Sequence, residues 1–455
     1  MRVAKSEIYT RASSLPTLRF EDQQLTSYAG LVVFQKLFAR LQLKQRLRQA
    51  CAHLGERNLY HPAVIVQVLL VHLLLGFRKL RDIEFYQDDP LVQRVLGLKI
   101  LPSVSTLSRT LMEFDERAVE AHHALNRSLV IERLQHLSLR RMTLDFDGSV
   151  SSTAKHAQGS AVGFNKQKKG ARSYYPLYCT VAQTGQVFDV LHRSGNVHDS
   201  RGAVAFVRHC VERIRTALPG VIIEVRMDSA FFSDEMVELL EGATVEFTIS
   251  VPFERFTELK GLVQGRKTWW PATADGTLRY FEKPWKPKCW TRSYRFVFIR
   301  RVTAGQQKGP LQLDLFEPTE AGFEFKVIVT NKTAWTLKVV RFHEGRGQQE
   351  HVFAELKTQA NLDYIPSRRW AGNKIYLLCA MLVHNLGREL QMDASEAHRG
   401  TTERRQPLWI FQGLEIMRRK FIQRAGRLTR PNGLVTLTLS ANEAVEKALT
   451  RYLAA

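Results

Sequence analysis

Residues 142–251 constrain the fold most, because short strand patterns and helix patterns follow one another there in a fixed order. Met142 to Ser149 alternates apolar and acidic residues, as a strand with one polar face does. The apolar stretches at 178–182 and 187–192 flank a Thr-Gly turn and indicate a hairpin. These three stretches predict three adjacent antiparallel strands.

A helix, a strand and a second helix are predicted after this hairpin. Asp199 or Ser200 is expected to cap a helix with an apolar stripe, and the β-branched run 221–227 predicts a buried strand. Another helix begins near Ser233, and a strand at 245–251 closes the block. Three antiparallel strands, a helix, a parallel strand and a helix form the order of the RNase H-like α/β fold, which we therefore predict.

The charge of the chain favours a polyanionic partner. It has 66 Lys and Arg against 44 Asp and Glu, a formal net charge of +22. An excess of this size points to nucleic acid first and to an anionic membrane surface second. The most apolar run, 62–77, is shorter than the roughly 20 residues of a membrane span, and no signal peptide is recognisable. Five widely spaced cysteines without a CxxC pair predict reduced thiols in a cytosolic protein.

Two regions outside the predicted core have features of DNA-binding surfaces. Pro102 to Thr110 resembles the second helix of a helix-turn-helix, in which Ser105 and Arg109 could contact phosphates, although an ordinary capped helix fits equally well. Between 253 and 323, basic residues are interleaved with four tryptophans, and strand patterns border a Gly/Gln-rich loop. Such a β-rich insertion suits a phosphate backbone and stacked bases, and about two tryptophans are expected to pack in its core. The DNA-binding candidates are Trp269, Trp270 and Trp290.

These patterns divide the chain into five parts. We predict a helical N-terminal DNA-binding domain at 1–140 and a basic helical region at 396–455. The core is predicted at 141–252 and 324–395, on either side of the insertion at 253–323. A buried helix is expected at 374–390 within its second part.

Three acids are predicted to meet at one edge of the sheet. Asp147 ends the first strand, Asp228 ends the parallel strand, and Glu350 lies in a helix. Carboxylates are the ligands that Mg²⁺ or Mn²⁺ prefers, and two such ions can catalyse an in-line displacement at phosphorus. Asp145, on the same face as Asp147, is a secondary candidate. The alternative for this strand is that its acids are solvated or cap a turn.

The helix that carries Glu350 has a specific arrangement of charges. At about 100° per residue, Arg346, Glu350 and Lys357 fall on one face, and Val352, Phe353 and Leu356 fall on an adjacent apolar face. An ordinary amphipathic helix with a surface Arg–Glu pair would show the same pattern. The helix alone therefore does not decide between a catalytic and a structural role.

Together these motifs resemble the DDE transposases of bacterial insertion sequences, in the group with a Tyr-x2-Arg-x3-Glu-x6-Lys signature. His343, Arg346, Glu350 and Lys357 match that spacing at three of four positions, with histidine in place of tyrosine. The segments at 143–149 and 226–231 are similar to the first and second acidic motifs of the family. Those at 163–165, 175–177 and 193–196 also look familial, and the resemblance extends over roughly residues 142–390.

The resemblance implies a cut-and-paste transposase with Asp147, Asp228 and Glu350 around two Mg²⁺ or Mn²⁺ ions. Arg346, Lys357 and, less securely because of the substitution, His343 would contact DNA phosphates. Terminal inverted repeats and target DNA would be the partners of a homodimer, with a hairpin intermediate and a flipped base held by a tryptophan. The location would be the bacterial cytoplasm, at the nucleoid. The alternatives are a non-catalytic DNA-binding protein derived from a transposase and, less favoured, a hydrolytic RNase H-like nuclease.

Overall fold

The structure is a computed structural model, which describes residues 15, 17–55, 59–153, 156–163, 165, 168–197, 200–288, 290–302 and 323–454. Asp199, Phe164 of the motif at 163–165, Cys289 and the Gly/Gln-rich loop within 303–322 lie outside these residues.

The described strands and helices are as follows. The strands are β1 (Leu25–Thr26), β2 (Arg141–Gly148), β3 (Ser151–Thr153), β4 (Ala161–Val162), β5 (Arg172–Tyr174), β6 (Leu177–Val181), β7 (Gln186–Leu191), β8 (Ile222–Met227), β9 (Glu246–Ser250), β10 (Trp270–Pro271), β11 (Leu278–Trp285), β12 (Tyr294–Val302), β13 (Phe323–Thr330), β14 (Gly426–Thr429) and β15 (Thr436–Leu439). The α-helices are α1 (Val32–Arg40), α2 (Leu43–Ala50), α3 (Pro62–Leu75), α4 (Pro90–Leu96), α5 (Val104–Glu113), α6 (Glu116–Leu137), α7 (Ala203–Ala217), α8 (Asp234–Gly242), α9 (Thr257–Gln264), α10 (Thr336–Glu344), α11 (Gln348–Gln359), α12 (Trp370–Asp393), α13 (Leu414–Met417) and α14 (Glu443–Ala454).

One large mixed sheet organises the described chain, in the order β10-β11-β12-β13-β9-β8-β2-β6-β7. The predicted succession is present: β2, β6 and β7 are antiparallel, α7 follows, β8 is parallel to β2, and α8 leads to β9, which is parallel to β8. The insertion does not form a separate sheet. Its strands β10 to β12 join β13, which pairs with β9.

Strand β2 has two different faces because its side chains alternate. Met142, Leu144 and Phe146 are fully buried in the hydrophobic core that α7 and α8 share. Asp145 and Asp147 are on the opposite face, where α11 packs: the Gln349 amide donates a hydrogen bond to the Asp145 carbonyl at 3.0 Å. The strand thus presents its carboxylates to the helix that carries Glu350.

A second hydrophobic core joins the N-terminal helices to α11, α12 and the C-terminal elements. The predicted buried helix at 374–390 is confirmed as part of α12, which contacts α3, α5 and α6. Asn126 of α6 and Asn385 of α12 donate hydrogen bonds to the Val187 carbonyl, so side chains cover part of the edge of β7. None of the described helices is long and apolar enough to cross a membrane.

Two local predictions were incomplete or wrong. The region at 396–455 is not uniformly helical, because β14 and β15 form a hairpin there that pairs with β1. Its Arg418 is buried and donates to the carbonyls of Leu73, Leu74 and Gln359. A small sheet with the order β3-β5-β4, between β2 and β6, was not predicted.

Candidate active site

Asp147 and Asp228 come together because β2 and β8 are parallel neighbours. Phe146 pairs with Met227, so the residues that follow them extend from the same edge of the sheet. Burial and the negative charge of Asp228 raise the pKa of Asp147 to about 6. Each carboxylate also accepts a local backbone hydrogen bond: Asp147 from its neighbour Gly148 at 2.8 Å, and Asp228 from Ala230 at 3.0 Å. The two acids therefore form an electrostatically coupled pair.

Arg346 supplies the positive charge next to this pair. It lies in the turn between α10 and α11, and its Nη1 donates to Asp147 Oδ2 at 3.0 Å. The turn can approach the sheet because residue 345 is glycine: a Cβ there would lie 1.9 Å from the Arg404 carbonyl oxygen. The structure thus joins two sequence-predicted residues, Asp147 and Arg346, by an ion pair.

Glu350 lies in the first turn of α11 and is exposed. Arg346 lies four residues before Glu350, in the turn that leads into α11. In the parts of the chain that the structure describes, no three His, Cys, Asp or Glu side chains are already arranged around a metal position. Lys357, further along α11, is partly buried, and this burial lowers its pKa.

Asp145, the secondary candidate, has a different role from its neighbour. Asp145 is 1% exposed, and its carboxylate forms a bidentate ion pair with Arg226, with Oδ–N distances of 2.5 and 2.7 Å. Arg226 also donates to the carbonyls of Phe342 and Arg404 at 2.9 and 2.7 Å. Because this arrangement occupies both oxygens of Asp145, we exclude it from the metal-ligand set.

The burial of His343 does not support the predicted contact with a DNA phosphate. The side chain is buried, and its two ring nitrogens lie 3.0 Å from Thr248 Oγ1 and 2.9 Å from Ser250 Oγ. Burial, together with the nearby charge of Lys326, lowers the pKa of His343 well below its usual value. A neutral histidine therefore joins α10 to β9 inside the protein.

The tryptophans divide into buried and exposed side chains. Trp269 packs edge-on against Phe281, and Trp290 stacks on Phe232 at a ring distance of 4.8 Å. Both are under 10% exposed, so the structure does not support DNA contacts for them. Trp270, on the edge strand β10, is 57% exposed and remains a candidate. Trp335, at the start of α10, is 60% exposed and was missed from the sequence.

Ser105 and Arg109 are exposed on α5, where the Arg109 Nε donates to the Ser105 carbonyl. Their role in DNA binding remains a prediction. Arg226, which is fully buried beside the acids, was not predicted as a site residue. A charged residue within the apolar run 221–227 was the available signal, because a buried cation requires a partner.

Comparison with known proteins identifies a family. The family model described as "Transposase DDE domain group 1" matches residues 12–455. No curated protein matches the chain. Among solved structures, a piggyBac transposase synaptic complex with hairpin DNA has a TM-score of 0.44 at 9% identity, over 86% of this chain and 79% of that one. A Mos1 mariner paired-end complex with Mn has a TM-score of 0.17 at 12% identity, over 37% of this chain and 56% of that one.

Proposed function

The chain belongs to the family Transposase DDE domain group 1, and from that premise we propose that it cuts DNA at the ends of a mobile element and joins them to target DNA. The observation that carries the proposal is the coupled pair of Asp147 and Asp228 beside Arg346. The strand order around this pair fits an RNase H-like core, as the sequence indicates. The element would be a bacterial insertion sequence.

The residues at this edge fit a divalent cation. Two coupled carboxylates repel each other, and a hard cation with oxygen ligands relieves that repulsion. We assign Asp147 and Asp228 as ligands, with Glu350 of the adjacent helix as the third acid. Two Mg²⁺ or Mn²⁺ ions at such a site would activate the attacking oxygen and stabilise the leaving one.

The surrounding side chains would position DNA. Arg346 neutralises Asp147 in the free protein, and its guanidinium can also bind a phosphate in two-pronged geometry. Lys357 extends the basic face along α11. Trp270 is exposed enough to stack on a flipped base, as a hairpin pathway would require. Synapsis of two inverted repeats implies a homodimer.

The direct test replaces Asp228 with alanine and measures nicking of DNA that carries the flanking repeats. We expect cleavage in Mg²⁺ or Mn²⁺ to fall by at least about 10³-fold, since the acids hold the ions that stabilise the transition state. DNA binding should be retained. Glu212→Ala, which removes an exposed acid of α7, is the matched control and should cleave normally.

Two outcomes would refute the proposal. Full cleavage by Asp228→Ala would remove this acid from the mechanism. Binding of the repeats by the unaltered protein without any nicking in Mn²⁺ would instead favour a non-catalytic DNA-binding protein derived from a transposase.

A further inference from the structure

Lys326 of β13 lies on the same face of the sheet as the acids. Thr248 pairs with Arg226, which pairs with Asp145, so their side chains share a face. Ser250 lies two residues after Thr248 in β9, so its side chain is on the same face, and it pairs with Ile328 of β13. Lys326, two residues from Ile328, therefore also projects from this face.

The register also connects Lys326 to the exposed tryptophan. Lys326 pairs with Ile299 of β12, Ile299 with Tyr280 of β11, and Tyr280 with Trp270 of β10. Neighbouring strands are about 4.8 Å apart. The strand of Lys326, β13, is two strands from β8 and three strands from β10, which places it about 10 Å from the axis of β8 and about 14 Å from the axis of β10. The lysine thus stands between the acid pair and Trp270.

Lys326 is exposed beside a recess in the protein surface. It borders a recess of about 170 Å³ together with Arg301, His343 and Glu344. Glu344 lies 3.7 Å from Arg301 and 3.1 Å from Arg404, whereas Lys326 is exposed and makes no hydrogen bond or ion pair with any described residue. Desolvation lowers the pKa of Lys326, the positive charge of Arg346 lowers it further, and the negative charge of Glu344 raises it.

On the basis of the proposed function, we propose that Lys326 binds a backbone phosphate of the DNA strand that runs between the acid pair and Trp270. Two neighbouring cations, Lys326 and Arg346, repel each other in the free protein, and a phosphate between or beside them removes this repulsion. Arg346 would grip the strand next to the acids, and Lys326 would hold it further along. Lys326 is a positioning residue in this arrangement.

The experiment compares Lys326→Gln with Lys283→Gln. Lys283 is an exposed lysine of β11. Because side chains alternate along a strand, Tyr280 and Glu282 lie on the face of Lys326 and Lys283 lies on the opposite face. Both variants lose one positive charge, so they have the same net charge. The probe is the genomic duplex that flanks the reading frame, labelled with fluorescein, with Ca²⁺ in place of Mg²⁺ to prevent cleavage.

Affinity is measured over a range of salt concentrations. Lys326→Gln should bind the duplex about fivefold more weakly and lower the slope of log K against log salt by about 0.9, the value for one lost phosphate contact. Lys283→Gln should change both values less, and Lys326→Arg should restore the slope. Equal slopes for the two glutamine variants, at unchanged melting temperature, would overturn the proposal.

This result can be separated from the test of catalysis. The salt slope requires only DNA binding, so it can be measured in an Asp228→Asn background. A wild-type protein that binds but never nicks the duplex in Mn²⁺ would refute the proposed function, whereas the Lys326 contact would be judged by the slope alone.

Discussion

Two groups of charged side chains lie on the same face of the sheet, two residues apart along β2 and β8. They differ in the charges that surround their carboxylates. The internal group contains Asp145 and Arg226, and behind them Glu224, which binds Lys332 at 2.7 Å and Arg405 at 2.8 Å. Every one of these acids has a cation as a direct partner. At the sheet edge, Asp147 lies close enough to Asp228 for the negative charge of Asp228 to raise its pKa, and Arg346 is bonded to Asp147.

The difference indicates which carboxylates connect elements inside the sheet and which lie where a ligand can bind. Paired acids inside the sheet connect β2 and β8 to α10 and to the segment around Arg404. The acids at the edge raise the free energy of the folded state, because one negative charge disfavours ionisation of the other. Functional sites commonly have such unfavourable charge arrangements, which a ligand relieves.

The largest expected effect comes from breaking the internal group. Arg226→Met leaves Asp145 buried without a cation, so we expect the free energy of unfolding to fall by about 3–5 kcal/mol. Urea denaturation followed by circular dichroism measures this loss. The double variant Asp145→Asn/Arg226→Met should recover part of it. A loss below about 1 kcal/mol for Arg226→Met would contradict the structural role of the pair.

A smaller effect is expected in the pH dependence of metal binding at the edge. Because the pKa of Asp147 is raised to about 6, the free protein carries a proton there below this pH, and a metal ion must displace it. Mn²⁺ affinity should be nearly constant above pH 7 and fall up to about tenfold per pH unit below 6. Calorimetric titration at several pH values measures it. In Asp147→Asn, the residual Mn²⁺ affinity should lack this transition, and an identical pH profile would contradict the assignment.

The smallest effect concerns stability without metal. The pKa of Asp147 is higher in the folded than in the unfolded chain, so ionisation lowers stability progressively as pH rises from about 4 to about 6. Asp147→Asn should therefore be more stable than the unaltered protein at pH 8. The gain should be only about 1 kcal/mol, because the variant also loses the ion pair with Arg346. Below about pH 4 the advantage should disappear. Thermal unfolding at both pH values, without divalent ions, measures the difference in stability. A destabilised Asp147→Asn at pH 8 would show that the ionised Asp147 carboxylate stabilises the fold, as a paired internal acid does.

The order of the central strands could be predicted because each has a distinct pattern of apolar residues. The pairing of Asp147 with Asp228 followed from that order. Alternation places Asp145 and Asp147 on one face, so Asp147 was preferred only because Gly-Ser follows it directly. The position of Arg226 shows how the surroundings of the two acids differ. The burial of His343 could not be predicted, because a spacing along a helix does not reveal which side chains a neighbouring strand buries.

The most direct test of the central claim locates the bound ion. Fe²⁺ replaces Mg²⁺ in the complex with DNA, and ascorbate with peroxide generates radicals at the ion. These radicals cut the polypeptide backbone of the protein near the ion. We expect cuts around residues 147, 228 and 350 that excess Mg²⁺ suppresses and that Asp147→Asn or Asp228→Asn abolishes. Mg²⁺-sensitive cuts elsewhere in the chain, or cuts that survive both substitutions, would contradict the claim.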